Sequence, residues 1–118
     1  MTHFMNLNPE PFGLIANGSK TIELRLNDEK RQLLSEGDTI VFTNTQSGEK
    51  LSALVTKLWS FPSFTELYRE LPLEKCGYTA ENIALASPGD MEQYYTKERQ
   101  AQYGVLGIEI KVINTEEE

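Results

Sequence analysis

The segment Gly18-Ser19-Lys20-Thr21-Ile22-Glu23-Leu24-Arg25 gathers a lysine, a glutamate and an arginine within one short stretch of chain. Lysine offers a compact point charge with three donors, and arginine a planar fork that fits a phosphate or the edge of a base. A glutamate between them can orient either cation or accept from an amino group. Residues 20–26 alternate, which predicts a strand with Ile22, Leu24 and Leu26 on one face and Thr21, Glu23 and Arg25 on the other. Lys20 then stands at the mouth of that strand. The plain alternative is a ladder of solvated charges, because outward charges are what any half-exposed strand shows.

The same residues admit proton chemistry. A lysine whose pKa is depressed by burial or by Arg25 can act as base or nucleophile. Glu23 pulls the other way and holds Lys20 charged, so the pattern favours anion binding over proton abstraction. Arg31, beyond the polar turn around Asp28 and Glu29, is expected to extend the basic mouth. His3 is the only histidine and Cys76 the only cysteine. Both are read as incidental to the chemistry, with no disulfide and no Cys/His cluster for zinc.

The elements that must position these groups follow from periodicity. Residues 2–7 alternate loosely and predict a first strand. Asn8-Pro9-Glu10 starts a helix of about two turns that buries Phe12, Ile15 and Ala16 and stops at Asn17-Gly18. Residues 27–35 are polar, with a helical turn through Leu33 and Leu34. Residues 39–43 form a strand, and Gln46-Ser47-Gly48-Glu49 a hairpin loop into a long alternating strand over 50–59. Ser63-Phe64-Thr65-Glu66 fits a capping box for a helix that buries Phe64, Leu67, Tyr68 and Leu71 and ends at Pro72. Residues 73–86 carry no clear signal. Ser87-Pro88-Gly89-Asp90 starts another helix leading to Met91, Tyr94 and Tyr95, and residues 105–113 form an apolar last strand. Four or five strands with three short helices predict an α+β, β-rich architecture: a small β-barrel with helices over its ends.

At 118 residues the chain suits one domain, here residues 1–113, followed by an acidic tail over 114–118. A chain of this length buries roughly two-thirds of the surface its unfolded form exposes, enough for a core without staples. The net charge of −7 argues against a generic coater of long duplex nucleic acid. The excess is uneven: residues 1–50 hold five basic and seven acidic side chains, and residues 51–118 hold six and eleven. The acidity therefore falls away from Lys20 and Arg25 and points to a small partner. No apolar run approaches the roughly 18–20 residues of a membrane span, and the N-terminus lacks the pattern of a signal peptide. A cytoplasmic location is expected.

The spacing G-x-K-x-x-E-x-R, made by Gly18, Lys20, Glu23 and Arg25, resembles the ASCH domain family, whose fold is similar to the PUA domain of RNA-modifying proteins. Pro11-Phe12, Gly37-Asp38, the Ser63-Phe64 helix and the closing Tyr103-Gly104-Val105-Leu106-Gly107-Ile108 are similar to the family's frame. The resemblance implies a PUA-like barrel with a cleft beside the motif that binds RNA, a nucleotide or a modified nucleoside, without a cofactor. It also implies ligand-binding roles for Lys20, Glu23, Arg25 and Arg31, with Tyr95 and Tyr103 as stacking surfaces. Some small bacterial members are amidohydrolases acting on N4-acetylcytidine through a lysine, a threonine and a glutamate. Lys20 matches the lysine, but Glu23 stands where the threonine is expected. An enzyme on this cleft, an amidohydrolase or a ribonuclease, would rest on Lys20, Glu23 and the adjacent Thr21, with Glu74 or Glu81 as the third group. A protein-interaction domain, with the charged strand as mere surface, is the remaining alternative.

Overall fold

The computed structural model describes residues 1–113, and the acidic tail lies outside the described residues. Five strands form one sheet: β1 (Thr2–Leu7), β2 (Ile22–Leu26), β3 (Thr39–Asn44), β4 (Lys50–Phe61) and β5 (Val105–Ile113). Their order is β1-β3-β4-β5-β2. β1 and β3 run parallel, and every other neighbouring pair is antiparallel. The sheet curls into a half-barrel and four helices cover it: α1 (Pro9–Ala16), α2 (Phe64–Glu70), α3 (Gly89–Glu92) and α4 (Lys97–Tyr103).

The two faces of the sheet carry separate cores. Met5, Leu7, Ile40, Phe42, Ala53, Val55, Leu106, Ile108 and Ile110 pack with Phe12 and Ile15 of α1. Ile22, Leu24, Leu26 and Val105 pack with Phe64, Leu67, Tyr68 and Leu71 on the other side. Alternation along β5 serves both. At Gly107, Leu71 comes so near the strand that an added Cβ would stand 2.7 Å from its Cδ1. β4 serves both cores by a different device. Ala53 and Val55 face the α1 side, a bulge lies between Val55 and Lys57, and beyond it Trp59 and Phe61 pack against the α2 side. One extra residue reverses which face the odd-numbered positions occupy.

Local signals in the sequence act largely as expected. Ser63 caps α2 by accepting from the Thr65 N–H, and Glu66 reaches back to the Ser63 hydroxyl rather than to its backbone. Asn8 holds the cap position of α1, but its side chain makes no cap bond; it accepts from Thr45 Oγ1 at 3.3 Å instead. Ala16 is exposed, so α1 buries Phe12 and Ile15 alone. The expected helix after Pro88 stops short, α3 ending at Glu92 before Tyr94 and Tyr95, and Thr96 caps a further helix that the pattern does not predict, α4, by accepting from the Arg99 N–H.

Candidate nucleotide-binding cleft

The half-barrel is open between its edge strands, β1 and β2. The backbones of Met1 and Leu7 are taken by β3 and the turn after it, Met1 O accepting from Thr39 N and Leu7 O from Thr45 N. In a parallel pair this alternation turns the backbone of Asn6 outward. Arg25 Nη2, on β2, donates to that free Asn6 carbonyl at 2.8 Å. A side chain thus joins two edges that no ladder joins. The cleft of about 420 Å³ beside this bridge is lined by Asn6, Lys20, Glu23, Arg25, Tyr68, Tyr78 and Tyr95, among others.

Glu23 organises the charged wall. Lys20 Nζ lies 2.8 Å from its Oε1, and Arg25 Nε donates to its Oε2 at 2.6 Å. Glu23 is 4% exposed, which excludes the solvated ladder. Burial pushes its carboxyl up, but the charges and hydrogen bonds of Lys20 and Arg25 outweigh that and hold it below the ordinary range. Three ionised groups share one buried site with a surplus of one positive charge. Each cation also keeps protons to spare: Lys20 spends one of three on Glu23, and Arg25 retains those that face neither Glu23 nor Asn6. The wall is built to receive an anion or a carbonyl.

Lys20 owes its position to neighbours both near and far along the chain. Its N–H donates to Leu14 O at 3.0 Å, and the Thr21 N–H to Lys75 O at 2.8 Å. Its aliphatic stem crosses Gly77, whose φ is +108° and where a Cβ would stand 3.3 Å from Lys20 Cδ. Both the backbone and the close approach favour glycine there.

The aromatic wall comes from α2 and the turns after it. Tyr95 stacks on Phe64 with ring centres 5.9 Å apart, and Phe64 meets Tyr68 edge-on at 6.4 Å. Buried Gln100 ties this wall together, accepting from the Phe64 N–H at 2.9 Å and donating to Tyr95 O at 3.0 Å. The phenols of Tyr68 and Tyr78 lie 2.6 Å apart, and Tyr78 donates to Asp90 Oδ2 at 2.6 Å. Burial pushes the Tyr68 phenol up to about 12 and, with the Asp90 hydrogen bond, pushes Tyr78 higher still. Both hold their protons at neutral pH. Cys76 also lines the cleft, where burial raises its thiol to about 12 and leaves it protonated.

The expected site residues thus divide. Lys20, Glu23, Arg25 and Tyr95 converge on the cleft, whereas Thr21, Arg31 and Tyr103 lie outside it. Thr21 is engaged through its backbone, accepting from the Ile110 N–H at 2.8 Å. Arg31 turns to Asp28, its Nη1 3.7 Å from Oδ2, and does not extend the basic mouth. Tyr103 donates to Glu29 at 3.1 Å and carries Arg99 over its ring. Glu74 and Glu81 are exposed and outside the cleft. His3 pairs with Asp38 at 2.8 Å. Tyr68, Tyr78 and Asp90 are the residues the sequence reading does not find. Tyr68 reads as core by its helical spacing, which it also is, and Tyr78 sits in the stretch without a clear pattern.

A model of the ASCH domain matches residues 5–114. The chain belongs to the ASCH domain family. This is a family of RNA-binding-like domains. Among solved structures, the ASCH chain is similar to the hypothetical protein PH0355, at 34% identity and a TM-score of 0.80 over 96% of this chain and all of that one. It is similar to protein PF0455 from Pyrococcus furiosus, at 30% identity and a TM-score of 0.73 over 98% of this chain and all of that one. An ASCH protein from Zymomonas mobilis shares the fold at 14% identity, with a TM-score of 0.64 over 94% of this chain and 71% of that one. No match was found among curated proteins. Among the described residues no helix is long and apolar enough to cross a membrane.

Proposed function

We propose that this ASCH domain is a binding module whose cleft takes one nucleotide unit, free or within a short single strand of RNA. Lys20 and Arg25 receive the phosphate or a base carbonyl, Glu23 orients them, and Tyr95 presents its ring to the base. The observation that carries the reading is the buried Glu23 held between Lys20 and Arg25 at 2.8 and 2.6 Å. A carboxylate so placed fixes the Lys20 ammonium and the Arg25 guanidinium side by side at the cleft, an arrangement that suits anion binding. The hydrolase alternative gains nothing from the geometry, since Thr21, Glu74 and Glu81 stand outside the cleft. A volume of about 420 Å³ suits a small ligand, and the acidic remainder of the surface opposes a long duplex.

The test is a titration with a mononucleotide and with a short single-stranded RNA at two salt concentrations. Lys20→Ala and Arg25→Ala are expected to weaken both ligands at least tenfold, and each to reduce the salt slope for RNA by about 0.7 for every phosphate it no longer neutralises. Loss for RNA alone would place the nucleotide within a strand. Affinities unchanged in both variants would overturn the proposal.

A further inference from the structure

The phenol pair beside the charged wall has a definite proton order. Asp90 Oδ2 already accepts from the Ser87 N–H at 3.2 Å and from the Tyr78 hydroxyl at 2.6 Å. A phenol has one proton, and an ionised carboxylate only accepts, so Tyr78 spends its proton on Asp90. The 2.6 Å contact between Tyr68 and Tyr78 must then use the proton of Tyr68. Tyr68 is left with lone pairs and no donor. On the charged wall of the cleft the polarity is reversed, because Lys20 and Arg25 offer only donors and both oxygens of the Glu23 carboxylate already accept from them. The cleft therefore joins a donor wall to a buried acceptor that two further residues hold in that state.

We propose that Tyr68 reads the base of the bound nucleotide as a hydrogen-bond acceptor, and that Asp90, acting through Tyr78, is the positioning residue that keeps it one. The inference rests on the nucleotide-binding reading above and sharpens it to a ligand class: nucleotides whose base edge carries an amino group, in preference to those with a carbonyl at the same place. An amino group donates to Tyr68. A carbonyl there meets lone pairs with no proton between, and a buried polar pair left unmade discriminates strongly. The anionic or carbonyl remainder of the ligand is received by Lys20 and Arg25.

Two matched pairs test this, adenosine against inosine 5′-monophosphate and cytidine against uridine 5′-monophosphate, each pair sharing its phosphate and exchanging an amino group for a carbonyl. In the intact protein the amino member of at least one pair is expected to bind about tenfold more tightly. Tyr68→Phe keeps the ring against Phe64 and removes the acceptor, and should abolish the preference. Tyr78→Phe frees the Tyr68 proton to serve as a donor, and should shift the ratio towards the carbonyl member; Asp90→Ala should shift it the same way. A merely structural role would weaken both members alike and leave the ratio unmoved. Equal binding within both pairs by the intact protein would overturn the inference while leaving the nucleotide-binding reading intact. A preference that survives Tyr68→Phe would also overturn it. If short RNA binds but no mononucleotide does, the inference falls and the nucleotide-binding reading stands; if neither binds, both readings fall.

Discussion

The two polar walls of the cleft are built on opposite plans. At β2 and the two residues before it, Lys20, Glu23 and Arg25 lie within one stretch of chain and form ion pairs through side chains that are 11%, 5% and 13% exposed. Tyr68, Tyr78 and Asp90 come from α2, the loop beyond it and α3, and form a line of neutral donors ending on one carboxylate. The first wall concentrates charge where water is largely excluded; the second fixes the direction of protons. A charged wall holds a ligand strongly without choosing among ligands, since any anion satisfies it. A wall of ordered phenols holds weakly and chooses. Division of labour between affinity and selection is what the pairing offers.

Glu23→Gln breaks the comparison most severely, because it leaves Lys20 and Arg25 facing each other with no counter-charge. Removing one member of a buried ion pair costs about 3–5 kcal/mol, so the midpoint of urea unfolding should fall sharply and its slope stay constant. Acid reaches the same carboxylate reversibly. The folded-state pKa of Glu23 is depressed below the ordinary value of 4.5, so its contribution is complete above that value and is lost as pH falls through the folded one. The intact protein should lose stability on acidification with a component that the Glu23→Gln variant lacks, read from unfolding curves between neutral and strongly acidic pH.

Gly77→Ala strikes where the two walls meet. With φ at +108° and Lys20 Cδ 3.3 Å from the new Cβ, it should cost about 1–3 kcal/mol in thermal unfolding and also weaken phosphate binding, as the lysine stem is displaced. Tyr78→Phe should have the smallest effect on stability, about 1 kcal/mol for the hydrogen bonds removed, while leaving phosphate affinity unchanged. If it weakened phosphate binding as much as Lys20→Ala, the two walls would not be separable.

How far the sequence is legible follows the same division. The alternation of residues 20–26 correctly separates Ile22, Leu24 and Leu26 from Glu23 and Arg25, because strand periodicity is local. It does not reveal that the second face is also covered: that depends on β1, whose Asn6 carbonyl meets Arg25 only once the sheet has curled. Likewise β5 is read end to end as apolar strand, but the bulge after Val55 in β4 leaves alternation apparent while exchanging its faces. Arg31 and Tyr103 carry suitable chemistry and join Asp28 and Glu29 instead, a choice between nearby carboxylates that spacing cannot make. Tyr78 lies in a loop without periodicity and Asp90 in a helix of a single turn, where placement comes from the partners reached and not from the pattern of the segment. The charged wall is legible because it is local, and the phenol wall is hidden because it is not.

The central claim is that the cleft between β1 and β2 receives a nucleotide on Lys20 and Arg25. A titration of the isotope-labelled protein with adenosine 5′-monophosphate, followed by two-dimensional NMR, tests it most directly. Saturable shifts are predicted at Asn6, Lys20, Arg25, Gly77 and Tyr95, with Arg31 and Tyr103 unmoved, and in Lys20→Ala they should need at least tenfold more ligand to saturate. Shifts centred on Arg31 and Tyr103, or shifts that saturate at the same ligand concentration in Lys20→Ala, would contradict it.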